Sequence, residues 1–312
     1  MFNRVKTIFA LRANNKKRLK RISFLFKGGY YIFLRDRICR LNAINVKSVG
    51  FLRSLFFIYR VSNKGVKKEQ LIKARVITGS YKHAVISDKL CYLVFKEQSD
   101  YFIFRKNYFD NIEHFNYPCI SPILCEDVLF YVVEPIASGR TLKYDEIPEL
   151  LHTLLKLFEN QSFVMKDEKD ILYYVQHGDS LPYNSLMDGE GNIVFIDLDS
   201  IASRPALYDF FNVICRTQGF DLLLQARENF DKELEIAFVK HNIKYTKSIY
   251  DLYLSKFVEA RLFDIKNGYN NGLLYKSLEW MFDPIVKEKF PLTHELVGKY
   301  KFELTINGYT VN

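Results

Sequence analysis

Two short stretches hold the side chains best suited to chemistry. One is Val175-Gln-His177-Gly-Asp179-Ser-Leu-Pro182-Tyr-Asn184, and the other is Gly191-Asn-Ile-Val-Phe-Ile196-Asp197-Leu-Asp199. In the first, a tight loop presents Asp179 and, five residues later, Asn184. In the second, a Gly-containing turn over 188–192 leads into an apolar strand that delivers Asp197 at its end. Phosphoryl transfer needs these parts. A carboxylate orients the attacking hydroxyl and accepts its proton, while amide and carboxylate oxygens hold magnesium against nucleotide phosphates. Each residue also has a plainer reading, as a turn residue, a cap or a strand end. Their joint occurrence at this spacing, behind the strand pattern described next, outweighs it.

Elements must position these groups. From about residue 72 the chain is rich in Val, Ile, Tyr and Phe, broken by Gly79-Ser80 and by Ser87-Asp88-Lys89, which predicts three short antiparallel strands. Ser99 or Asp100 can cap a helix running to about Phe115. Two more strands follow, over 121–126 and 129–135. Beyond Gly139 the pattern is mostly helical, with Leu-rich periodicity over 144–161 and several helices over 206–239 and 248–299, the latter holding Trp280.

The set His177-Gly-Asp179-x-x-Pro182-x-Asn184 with Ile196-Asp197 resembles the aminoglycoside phosphotransferase and choline kinase group of the protein-kinase-like superfamily. The pieces stand in family order over roughly 72–220. By that resemblance Asp179 is the catalytic base, Asn184 and Asp197 bind magnesium, and His177 is a structural loop residue. Tyr208-Asp209 is similar to the element whose buried aspartate braces the catalytic loop. The fold implied is α+β and bilobal: a small five-stranded antiparallel lobe with one helix over 71–138, and a larger, mostly helical lobe over 139–312. Leu181 and Tyr183 depart from the group, replacing a common histidine and a frequent glycine, and bear on the substrate rather than on the metal ligands or the base.

Further parts of an ATP site follow from the same resemblance. Lys96 ends the strand Tyr92-Leu-Val-Phe-Lys96 and is placed to contact the α- and β-phosphates, with Glu113 as its ion-pair partner, for which Glu97 and Asp110 compete. Gly79 and Ser80, in Thr78-Gly79-Ser80-Tyr81-Lys82, sit where a phosphate-covering loop belongs, with one glycine instead of several. Glu134-Pro135-Ile136 matches a hinge whose backbone binds adenine. Only eleven residues separate Asp197 from Asp209. That is short for a peptide-docking segment, so a small-molecule or sugar hydroxyl is the expected acceptor. A non-catalytic nucleotide- or partner-binding module of the same fold is the rival reading, disfavoured because the magnesium ligands are present.

Charge divides the chain. Residues 1–70 hold 18 of the 45 Lys and Arg against Asp36 and Glu69, a balance of +16, which leaves 27 basic and 34 acidic residues, or −7, for the rest. The segment 1–70 reads as a basic, aromatic, helical extension, densest in charge at Lys16, Lys17, Arg18, Lys20 and Arg21. Three uses compete for it: contact with an anionic membrane surface, nucleic-acid binding, or a solvated face. Nucleic acid is disfavoured because no recognition module accompanies the charge and the body is acidic. A membrane location points to a glycolipid or an envelope-sugar acceptor, since envelope sugar kinases of bacteria share the implied fold. An acidic body points instead to a cationic acceptor of the aminoglycoside or choline type. No stretch approaches the ~20 apolar residues that cross a bilayer, no signal peptide is evident, and five scattered cysteines suit a reducing compartment. The expectation is a cytoplasmic protein, peripheral on the inner membrane face.

Overall fold

In the computed structural model the basic N-terminal segment does not stand apart as a helical extension; it helps to build a sheet. The structure describes residues 2–26, 29–34, 37–40, 58–61, 71, 73–79, 81–125, 131–136, 139–217, 220–266 and 284–306. Ser80 and Trp280 lie outside them. Two compact units divide the chain, the first made of Met1–Arg105 with Ile120–Ile136, the second of Lys106–Cys119 with Ala137–Asn312.

The first unit opens with helix α1 (Phe2–Ile22), a run without Gly or Pro. Asn15, Leu19 and Ile22, at i, i+4 and i+7, are buried, while Lys16, Lys17, Lys20 and Arg21 are exposed. Eight antiparallel strands follow: β1 (Gly29–Leu34), β2 (Arg37–Arg40), β3 (Ile58–Val61), β4 (Lys73–Thr78), β5 (Lys82–Ile86), β6 (Leu90–Phe95), β7 (Ile123–Cys125) and β8 (Tyr131–Pro135). Their order is β3-β1-β2-β4-β5-β6-β8-β7. The expected five strands are β4 to β8. The other three come from the segment expected to be helical, joined through β2 and β4 in the register Arg37 with Arg75 and Ile38 with Ala74.

The physical reason for this correction is a period of two. Tyr31, Ile38 and Tyr59 are buried, and their neighbours Tyr30, Arg37 and Arg60 are exposed. The buried set enters one core with Leu19, Ile22, Leu25 and Phe26, and with Val76, Val85, Tyr92, Val94 and Tyr131 of the expected strands. Each fully buried aliphatic there contributes roughly 1.5–3 kcal/mol, so the N-terminal segment is part of the unit's core and not an appendage to it.

Helix α2 (Gln98–Asn111) spans the division between the units and ends earlier than expected. The Asn111 side-chain amide donates to the Asn107 carbonyl at 2.8 Å, satisfying a terminal acceptor. The next residues turn as a 3-10 helix (Ile112–His114), so Glu113 is not on the helix proper.

In the second unit two small sheets carry the loops of interest. One, ordered β10-β11-β14, consists of Met165–Lys166, Leu172–Gln176 and Ala202–Pro205; the other, ordered β13-β12-β9, of Ile193–Phe195, Ser185–Met187 and Arg140–Thr141. Gly139, leading into β9, approaches the second sheet so closely that a Cβ there would lie 2.7 Å from the Met187 carbonyl oxygen. Helix α3 (Ile147–Glu159) buries Ile147, Leu150, Leu151, Leu154, Leu155 and Phe158, one apolar stripe at helical spacing. The remaining helices are α4 (Tyr208–Thr217), α5 (Phe220–Asn229), α6 (Asp231–Lys240), α7 (Lys247–Lys266), α8 (Pro284–Lys289) and α9 (Pro291–Ile306).

Candidate active site

Strand β11 ends at Gln176, and the loop after it is fixed at each residue. Gly178 takes φ +82°, where a Cβ would stand 2.4 Å from the Ser200 carbonyl oxygen and 2.8 Å from Arg204 Nη2, so only glycine fits. Asp209, buried in the first turn of α4, accepts the His177 N–H at 2.9 Å on Oδ2 and the Gly178 N–H at 2.8 Å on Oδ1. Its own N–H donates to Gln176 Oε1 at 3.1 Å. His177 Nε2 donates to the Ile196 carbonyl at 2.8 Å, and Nδ1 accepts the Asp179 N–H at 3.3 Å. The imidazole thus ties this loop to the end of β13, which is a structural role.

Asp179 and Asn184 are brought together directly. The Asn184 side-chain amide donates to Asp179 Oδ2 at 2.9 Å and to the Asp179 carbonyl at 3.0 Å. With its nitrogen committed to Asp179, Asn184 has its oxygen left to offer a cation. Pairing of β12 with β13 sets Ser185 opposite Phe195, and the Ile196 N–H donates to the Asn184 carbonyl at 3.0 Å, so Asp197 follows at the same end of the sheet. Asp197 takes φ 68°, a left-handed turn uncommon outside glycine and a local strain of the kind that collects at functional sites. Burial raises the Asp179 carboxyl above its ordinary value, opposed by the Arg216 guanidinium and reinforced by the charge of Asp197.

Arg216 and Tyr183 complete this environment; Arg216 was not picked out from sequence, and Tyr183 only as a departure from the family pattern that bears on the substrate. Arg216 Nη1 pairs with Asp179 Oδ1 at 2.9 Å, and Nη2 donates to the Tyr183 hydroxyl at 3.2 Å. A signal for Arg216 was available. Asp209, Asn212 and Arg216 fall at i, i+3 and i+7 of α4 and meet the loop in order, Asn212 Nδ2 donating to the Gly178 carbonyl at 3.4 Å.

In the first unit, Lys96 and Gly79 are brought together. Lys96 Nζ donates to the Gly79 carbonyl at 2.5 Å, and the Gly79 N–H donates to the Lys82 carbonyl at 2.9 Å. Glu134 lies in β8 opposite Cys91 and is buried. The Ile136 N–H donates to the Lys89 carbonyl at 2.9 Å, so this donor is engaged inside the sheet. Glu113 stands exposed in its 3-10 turn in the second unit.

Among the described residues no three His, Cys, Asp or Glu side chains gather as a metal-binding group. An amide oxygen and one carboxylate nevertheless fit magnesium, which takes few protein ligands and completes its shell with phosphate oxygens and water. Among the described residues, no helix is long and apolar enough to cross a membrane.

No protein-family model matches the sequence, and no curated protein is significantly similar to it. Among solved structures the chain is similar to a choline/ethanolamine kinase family protein from Mesorhizobium loti, at 12% identity and a TM-score of 0.41, covering 71% of this chain and 92% of that one. It is similar to an aminoglycoside 2′-phosphotransferase-IIIa in its GDP complex, at 12% identity and a TM-score of 0.40, covering 72% and 90%. Choline kinase LicA from Streptococcus pneumoniae gives 11% identity and a TM-score of 0.40 over 73% and 94%. These likenesses are loose, and the functional reading rests on the site itself.

Proposed function

We propose that this chain is an ATP- and magnesium-dependent phosphotransferase of the protein-kinase-like fold, within the aminoglycoside phosphotransferase and choline kinase group, acting on a hydroxyl of a small molecule or sugar. One observation carries the reading: Asp179 stands on a loop whose peptides are bound by buried Asp209, with Asn184 bonded to its carboxylate and Asp197 delivered by the adjoining strand. Asp179 is the base that takes the acceptor's proton. Asn184 and Asp197 would hold magnesium, whose charge stabilises the nucleotide phosphates. Lys96, Gly79 and Ser80 serve the phosphates, and backbone groups near Glu134 and Ile136 serve adenine. The Ile136 carbonyl is the better candidate there, since its N–H is already committed.

The exposed basic residues of α1 support residence on the inner face of an anionic membrane, with a glycolipid or envelope-glycan precursor as acceptor. The test of the enzyme reading is turnover of ATP with magnesium. Asp179→Ala is expected to lose roughly 10²–10⁴ in kcat, and Asp197→Asn to abolish transfer while melting as cooperatively as wild type. Equal rates in wild type and Asp179→Ala would leave only a nucleotide-binding module.

A further inference from the structure

Arg216 occupies the last turn of α4 with its side chain 27% exposed, and its two bonds go to Asp179 and to the hydroxyl of exposed Tyr183. A cation on the base is an obstacle to an acceptor hydroxyl. Oδ1 of Asp179 accepts from Arg216 and Oδ2 accepts from Asn184, so both oxygens already hold a donor. Asn184 is buried and doubly bonded to Asp179, which fixes it. Arg216, reaching in from the helix end, is the partner free to yield. A guanidinium fork that leaves one carboxylate pairs best with another carboxylate or with a phosphate. An ammonium-bearing acceptor would instead break the pair and sit beside an uncompensated cation. Tyr183, bonded to Arg216 at the rim, supplies one more hydroxyl to such an anion.

We propose that Arg216, with Tyr183, reads an anionic group on the acceptor, so that the substrate class is a hydroxyl compound already bearing a phosphate or carboxylate, not an ammonium compound. The inference rests on the phosphotransferase reading of Asp179. In that step the acceptor oxygen bonds to the γ-phosphorus as the bond from that phosphorus to the β–γ bridging oxygen breaks. The hydroxyl proton goes to Asp179 and ADP leaves.

Two readouts on the full chain test it. Calorimetric titration with glucose 6-phosphate, galacturonate, glucose and choline, without nucleotide, reads the anion site alone. Transfer from γ-labelled ATP with magnesium to the same compounds reads turnover, and the phosphate and carboxylate arms show which anion is used. Wild type is expected to favour an anionic compound over glucose and choline. Arg216→Gln is expected to weaken binding of that compound at least tenfold and to raise its KM more than it lowers kcat. The penalty should be at least ten times larger than with glucose, and Arg216→Lys should restore part of it. Tyr183→Phe, at an exposed position, provides a second variant with a smaller shift in the same direction. Preference for choline or glucose, binding of neither anion, or equal loss on all acceptors overturns the proposal. The two readings fail separately. Arg216-dependent binding without transfer sinks the phosphotransferase and keeps the anion site; transfer indifferent to Arg216 does the reverse.

Discussion

His83 on β5 is 3% exposed, and its Nδ1 has no hydrogen-bond partner among the described residues. Burial, with the neighbouring charges of Lys96, Arg18 and Arg21, pushes its imidazole down to about 4 from the ordinary 6.5. Between those values the unfolded chain binds a proton that the folded protein refuses, so stability rises with pH across that window. The contribution is complete above about pH 6.5 and is lost as pH falls toward 4. The melting temperature of wild type is therefore expected to fall over that interval more steeply than that of His83→Leu; parallel slopes would remove His83 from the account. Burial decides the behaviour of His83, whereas spacing along the chain brings together the residues of the proposed site. That Asp179, Asn184 and the strand end before Asp197 lie close together was legible, because they are linked by sequence-local spacing, a loop of five residues and one paired strand. Arg216 pairs with Asp179 across 37 residues, and only its place seven residues after Asp209 on the same helix face hints at that.

At the scale of elements, the loop after β11 depends on a backbone conformation that one residue can supply. Gly178 combines φ +82° with 2.4 Å between a would-be Cβ and the Ser200 carbonyl oxygen. Gly178→Ala meets both a left-handed penalty and a clash with backbone, so a loss of roughly 1–3 kcal/mol is expected, the size of other local backbone strain. Thermal denaturation reads that loss, and ATP turnover should fall further than stability, because the strain falls beside Asp179. A variant that melts and turns over like wild type would show that the loop tolerates displacement. The five strands from Lys73 to Pro135 were readable because apolar runs and turn residues alternate cleanly. β1 to β3 were not. Their exposed faces carry Arg37 and Arg60 beside buried Ile38 and Tyr59, and such mixed cationic and aromatic sequence imitates a surface helix unless its period is counted.

For the whole molecule, the fold changes what the basic segment can do and how it must be tested. Leu19 and Ile22 of α1 are committed to the core of the first unit, so they are not available to enter a bilayer. Exposed among the described side chains of α1 are Leu11 and a cationic cluster, Lys16, Lys17 and Lys20, together with Arg21, which pairs with Glu97 at 3.1 Å. Attraction to an anionic surface through this face is electrostatic, at about 1 kcal/mol per basic residue near the membrane, and weakens with salt. Deleting residues 1–70 would remove three strands and part of the core, so loss of binding by such a fragment would say nothing about charge. The triple substitution Lys16→Glu, Lys17→Glu and Lys20→Glu leaves the buried face and Arg21 intact. It is expected to melt close to wild type and to bind phosphatidylserine vesicles at least about a hundredfold more weakly, since three lost positive charges at about 1 kcal/mol each are joined by three negative charges that the surface repels. Binding of wild type should itself decline as salt is raised, and vesicles of neutral lipid should retain neither protein. Equal co-sedimentation of variant and wild type would assign the exposed lysines to solvation and remove the membrane from the search for the acceptor.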